Sequence, residues 1–370
     1  MHIVQALVSL NLGGSELVAV ELAEHAAALG HRVTVIAAPG PLSARLADSG
    51  AQLLEWPIGR KRPRTLRYIG RLADWMRDER PDVLHAHSRL PAWICHFALR
   101  RIDPGERPAW ITSVHGHYSV NRYSAVMAGG DRVIAVSDHI REYTLRNYPS
   151  VDPGRITTVH GGVSRRTFPT GYRPAASWTA AAHETFPELR GKRLVCLPGR
   201  LSRYKGHADF IELIAGLVKT VPEVHGVVVG KARRGSRYRD ELEGLAERYG
   251  VLNRVSFVGA RTDMRDWMAS SEIVYSLCAD PPEAFGRTVP EALHLGVPVI
   301  GWDHGGVAET LAVLFPQGAV RPGDRAGLLQ RSIDFLKHRP VVAPGSAFGL
   351  SESMNKTMAV YESAVQERTP

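Results

Sequence analysis

The chain has 370 residues, 44% hydrophobic and 22% charged, with 35 Gly and 24 Pro, a composition suited to an α/β protein of two ordinary domains. A net charge of +9, from 46 Lys plus Arg against 37 Asp plus Glu, favours an anionic partner: a nucleotide, a phosphorylated glycan, an anionic membrane face or nucleic acid. No apolar run is long enough to cross a bilayer, and the first residues enter a strand rather than a cleavable leader. Cys95, Cys196 and Cys278 share no metal-like spacing, so the expectation is a cytoplasmic protein with reduced core thiols.

Short apolar runs at residues 2–8, 32–37, 53–55, 82–86, 109–114 and 132–136 alternate with amphipathic stretches. That alternation predicts right-handed βαβ units on a parallel sheet. After the first run, Gly13-Gly14-Ser15-Glu16 reads as a turn with Ser15 as N-cap, opening a helix that Gly30 stops. Between residues 60 and 71, Arg60, Arg64, Arg67 and Arg71 fall on one face of a helical projection, with Leu66, Ile69, Ala73 and Met76 roughly opposite. An ordinary solvated face explains this; docking on anionic lipid or on a phosphorylated acceptor is the functional alternative.

Residues 166–190 hold Pro169, Pro174 and Pro187 with little periodicity, and read as a linker with an insertion between a first domain at 1–165 and a second at 191–350. The strand–helix pattern restarts at 193–197 and continues at 224–229, 254–258, 273–277 and 297–301. Phe210, Leu213, Ile214 and Leu217 form a core-facing helical stripe after Lys205-Gly206. A capped helix is expected over residues 351–367.

The densest chemistry lies between residues 279 and 309. A Pro-rich loop carries Glu283 and Phe285-Gly286-Arg287, a short helix carries Glu291, and a strand leads to Gly305-Gly306. Glycines beside a helix N-terminus let backbone N–H groups approach an anion. Thr288-Val289-Pro290-Glu291 also fits a capping box, which would make Glu291 purely structural.

The string from Glu283 through Phe285-Gly286 and Glu291 to Gly305-Gly306-Val307-Ala308-Glu309 closely resembles the signature of the retaining glycosyltransferases of family 4. Leu197-Pro198-Gly199-Arg200 and Lys205-Gly206 match the Gly-Arg…Lys-Gly motif of that family, and Gly13-Gly14 matches its Gly-Gly-x-Glu turn. The resemblance implies the GT-B architecture: two Rossmann-like β/α/β domains facing each other across a cleft, the first binding the acceptor and joined by the C-terminal helix segment 351–370, the second binding the nucleotide sugar. It implies that Arg200 and Lys205 pair with the donor diphosphate, where fixed cations stabilise the charge gathering on the leaving group. Glu291 would hold ribose hydroxyls, Glu283 the donor sugar, and the amides of Phe285, Gly286 and Arg287 the phosphates. Gly13 and Gly14 would approach the diphosphate, and His115 would lie near the reacting carbon, with His85 and His87 as support.

The implied reaction moves a sugar from a nucleotide diphosphate sugar, with a UDP-sugar favoured, to a glycan or lipid-linked acceptor with retention. Bacterial lipopolysaccharide or another cell-surface polysaccharide would be the product, made in the cytoplasm or on the inner face of its membrane. No metal and no other cofactor is expected, because the cations and the helix end balance the diphosphate. His160-Gly161-Gly162-Val163-Ser164 departs from the Asn-Gly-Val-Asp of many relatives. An epimerase of the same architecture is one alternative. A non-catalytic binder of an anionic ligand or of nucleic acid is another, although no aromatic-and-basic stripe of the single-strand type is present.

Overall fold

The computed structural model describes residues 1–368 except 234 and 344, and its chain divides into two compact units. The first unit comprises Met1–Gly162 and the segment from Leu350 onward; the second is Val163–Gly349.

In the first unit the strands are β1 (His2–Ser9), β2 (Arg32–Ala38), β3 (Gln52–Leu54), β4 (Val83–Ala86), β5 (Ala109–Val114), β6 (Arg132–Ala135) and β7 (Ile156–Thr158). They form one sheet in the order β3-β2-β1-β4-β5-β6-β7, and every pairing is parallel. Both faces of such a sheet are covered, which is why β4 and β5 are buried along their whole length. The C-terminal helix Leu350–Gln366 packs on this sheet and sinks Met354, Met358 and Tyr361 into its core.

The second unit repeats the plan with β8 (Arg193–Pro198), β9 (Val224–Val229), β10 (Val255–Gly259), β11 (Ile273–Ser276), β12 (Val299–Trp302) and β13 (Ala319–Val320). Their order is β10-β9-β8-β11-β12-β13, again all parallel. The helix His207–Leu217 buries Phe210, Leu213, Ile214 and Leu217 against this sheet, as its stripe predicts.

Several local expectations are corrected. Ser15 is not the N-cap of the first helix: Gly13 is, with extended backbone, and the Ser15 hydroxyl donates to Glu16 Oε2 at 2.8 Å. The basic stretch is not one helix. Pro63–Leu66 forms a 3₁₀ turn, and the α-helix begins only at Arg67. The 3.6-residue period therefore starts late, so Tyr68, Leu72, Ala73 and Met76 face inward while Leu66 is 60% exposed. Strands β7 and β13, of three and two residues, are too short to show a period in sequence. The Pro-rich stretch lies within the second unit and carries a helix, Ala176–Thr185, whose Trp178 Nε1 donates to Asp263 Oδ2 at 2.6 Å, while the Tyr172 hydroxyl ahead of it donates to Asp266 Oδ1 at 2.6 Å.

Candidate active site

In an open parallel sheet, a crevice forms outside the carboxyl ends of the two strands where the winding reverses. In the second unit those strands are β8 and β11, adjacent in the sheet but far apart in sequence. The turn after β8 carries Arg200, Tyr204 and Lys205; the loop after β11 carries Glu283. Topology alone thus brings Lys205 and Glu283 together, and the Lys205 ammonium donates to Glu283 Oε1. Burial works against the lysine's charge, but the Glu283 carboxylate outweighs it, and the Lys205 pKa is raised. Arg200 is exposed and donates through Nη2 to the Tyr204 hydroxyl at 3.0 Å, with the Lys205 ammonium 5.7 Å from the Tyr204 ring.

Close backbone packing fixes this arrangement. Gly206 has φ +76, and a Cβ there would lie 2.0 Å from the Leu277 carbonyl oxygen. Only glycine lets the turn after β8 sit against the end of β11. On the other side, the Gly306 N–H donates to the Glu283 carbonyl at 2.9 Å, where a Cβ would strike Ala284 O at 2.3 Å. His304 Nε2 adds a 2.7 Å bond to the Cys278 carbonyl. The acid-bearing loop is held at both ends.

Glu291 is 7% exposed on the helix Thr288–His294, with Arg287 Nε 3.4 Å from its Oε1. Thr288 is the first helical residue rather than the cap, and Arg287, at the cap position, makes no side-chain cap bond. A capping box is therefore absent at this helix. Gly286 enters the helix with φ +79, and Phe285 packs 5.7 Å from Phe348. The first turn of a helix leaves its N–H groups without intrahelical acceptors.

In the first unit the winding reverses between β1 and β4. Gly13 and Gly14 follow β1, His87 follows β4, and His115 follows the neighbouring β5. His87 Nδ1 lies 3.0 Å from His115 Nε2, and His87 Nε2 lies 2.9 Å from Gln5 Oε1. His85 lies 3.9 Å from the His87 ring, tilted by 40°, and bonds the Tyr361 hydroxyl at 2.6 Å and Ser113 Oγ at 2.7 Å. Burial pushes His115 down to about 4 and holds His85 and His87 well below the ordinary imidazole range, so all three are neutral near pH 7. Gln5, buried on β1, and Tyr204 have no place in the motifs; only their neighbours in the fold give them a role.

The residues singled out in sequence thus fall into two groups. Arg200, Lys205, Glu283, Phe285, Gly286, Arg287 and Glu291 gather in the second unit, and Gly13, Gly14 and His115 at the switch of the first.

Two Rossmann-like units of this kind define the GT-B class. The model of Glycosyltransferase Family 4 matches residues 12–166, and that of Glycosyl transferases group 1 matches residues 181–345. The chain belongs to the family 4 glycosyltransferases of the GT-B superfamily. It is 29% identical over 259 residues to D-inositol 3-phosphate glycosyltransferase 2 of Catenulispora acidiphila, covering 65% of this chain and 58% of that protein. It is 26% identical to the lipopolysaccharide core biosynthesis mannosyltransferase LpsB of Rhizobium meliloti, covering 63% of each. Alignment thus spans less than two thirds of either relative. Among solved structures, a glycosyltransferase from Rickettsia africae superposes with a TM-score of 0.83 at 21% identity, covering 99% of this chain and 98% of that one. HepE of Anabaena, solved with UDP and glucose, superposes with a TM-score of 0.75 at 19% identity, covering 99% and 97%.

Proposed function

We propose that this protein transfers a sugar, with retention, from a nucleotide diphosphate sugar to a glycan or lipid-linked acceptor of a bacterial surface polysaccharide. The observation that carries this reading is the convergence of Lys205, Arg200 and Glu283 at the carboxyl ends of β8 and β11, beside the helix that holds Glu291. In this reading Arg200 and Lys205 take the diphosphate, and Glu291 takes the vicinal ribose hydroxyls, which a carboxylate can accept from together. Glu283 orients the sugar and tunes Lys205. His115 serves the sugar being transferred. The leaving phosphate oxygen accepts the acceptor's proton on the same face, so catalysis is mostly positioning and charge stabilisation.

UDP is the favoured nucleotide, in keeping with HepE, solved with UDP-glucose. The lipopolysaccharide reading leans on the LpsB relative. No metal is required if the two cations balance the diphosphate. Contact with an anionic membrane remains part of the proposal, in altered form. Arg67 and Arg71 are committed to the Tyr68 and Trp56 rings, at 5.1 and 4.4 Å, so Arg60 and Arg64 beside the exposed Leu66 would meet the lipid. No helix among the described residues is long and apolar enough to cross a membrane.

A thermal-shift screen of UDP, GDP, ADP and their sugars tests the donor site, and the anomeric configuration of the product tests retention. Stabilisation by at least one nucleotide, reduced in Arg200→Ala and Lys205→Ala, is expected. A chain that none of them stabilises, or an inverted product, would refute the reading.

A further inference from the structure

The polar groups behind His115 form a chain whose direction can be worked out from one end. Gln5 Nε2 lies 3.1 Å from the Ala19 carbonyl oxygen. A carbonyl only accepts, so the Gln5 amide nitrogen must face it and Gln5 Oε1 must face His87. That oxygen also only accepts, so His87 Nε2, 2.9 Å away, carries a proton. A neutral imidazole has one N–H, which leaves His87 Nδ1 bare. His115 Nε2, 3.0 Å from it, must then be the donor. His115 is neutral too, so its own Nδ1 is bare, and among the described residues that atom has no hydrogen-bond partner.

We infer that Ala19, Gln5 and His87 form a relay that locks His115 as the Nε2–H tautomer and presents Nδ1 as an acceptor to a hydroxyl of the sugar substrate. This rests on the sugar-transfer reading and sharpens it. A bare imidazole nitrogen attracts a hydroxyl and repels a phosphate oxygen, which itself only accepts. His115 is thus a reader of sugar hydroxyls, not a cation for the diphosphate, and Gln5 and His87 are positioning residues. A doubly protonated His87 could reverse the polarity, but it sits fully buried between the rings of His85, at 3.9 Å, and His115, at 5.3 Å. The groups hydrogen-bonded to these rings are Gln5, Ser113 and Tyr361, none of them a carboxylate. Such surroundings disfavour an imidazolium.

The test is two-bond ¹H–¹⁵N correlation of the substrate-free full chain, labelled with ¹⁵N-histidine, near neutral pH. His87→Gln and His115→Gln spectra assign the two rings. Both should show a protonated Nε2 and a bare Nδ1. In Gln5→Leu the relay loses its terminal acceptor, and the Nδ1–H form of His115 should rise at least threefold. An Nδ1–H or doubly protonated ring at either position in the wild type overturns the inference, and unchanged His115 populations in a folded Gln5→Leu overturn the role of Gln5. The wild-type spectrum decides even if the variant does not fold. Because no substrate is present, a failure here is distinct from a failure of the sugar-transfer reading, which the nucleotide screen detects.

Discussion

Replacing Glu283 with Gln should tighten the binding of a free nucleoside diphosphate while it reduces sugar transfer. In the structure the Lys205 ammonium is engaged by the Glu283 carboxylate, with the two side chains 21% and 22% exposed. A pair this sheltered keeps much of its strength, unlike a surface bridge worth at most about 1 kcal/mol. Hydrogen bonds to charged groups contribute about 1.5–3 kcal/mol; the ammonium–carboxylate pair sits at the top of that range and the ammonium–amide bond left by Gln at the bottom, so Gln would hold Lys205 more weakly by about 1–1.5 kcal/mol. That difference becomes available to the diphosphate, and the carboxylate's repulsion of the phosphates disappears as well. Calorimetric titration should therefore show UDP binding at least about fivefold tighter in Glu283→Gln, with transfer from the sugar nucleotide sharply lower. Unchanged or weaker UDP affinity in a variant that melts normally would refute the argument that Glu283 restrains the phosphate-binding lysine.

Other outcomes follow from the same structure. Activity should survive exhaustive chelation by EDTA; loss restored by Mg²⁺ or Mn²⁺ would overturn the cation-only mechanism, and would direct attention to His160 and Asp138, whose ligand-type atoms lie 3.8 Å apart. Liposome binding should require anionic lipid, weaken as salt rises and vanish in Arg60→Glu/Arg64→Glu, with equal binding to neutral liposomes as the contrary result. Stability should fall with acid. His207 and His225 are fully buried and held down to about 4 by burial, against 6.5 for the exposed ring. Above pH 6.5 both are neutral folded or unfolded; between 6.5 and 4 only the unfolded chain takes up the protons. Each ring therefore withdraws about 3 kcal/mol as the pH drops through that window, and the loss is complete below it. Melting curves should show a fall in Tm beginning near pH 6.5 that His225→Gln lessens; a flat Tm down to pH 4.5 would contradict it.

Much of the architecture was legible because parallel strands buried on both faces read as near-continuous apolar runs, as at 133–136 and 227–229. The crevice between β8 and β11 was legible because close backbone approach demands glycine, and Gly206 and Gly306 stand in the sequence as markers of where chain meets chain. Residues 60–71 misled because a helical projection assumes one unbroken period, and the turn from Pro63 shifts the phase. Glu291 was ambiguous because a capping box and a ligand-binding acid share one spacing; the position of Thr288 inside the helix removes the capping box. The relay behind His115 was illegible, since Gln5 lies on β1 while His87 and His115 directly follow β4 and β5, strands that only the sheet order makes neighbours. Nothing local distinguishes Gln5 from any buried amide.

The helix carrying Glu291 and the Lys205–Glu283 crevice are proposed to form one nucleotide site. Calorimetric titration of the wild type and of Glu291→Ala with UDP, GDP and ADP tests it most directly, because a lost ribose contact in a buried site costs about 1–3 kcal/mol whether or not a sugar is attached. The wild type should bind one of the three, and Glu291→Ala should bind it at least about fivefold more weakly with its melting temperature little changed. Wild-type affinity in a Glu291→Ala protein that merely melts earlier would contradict it.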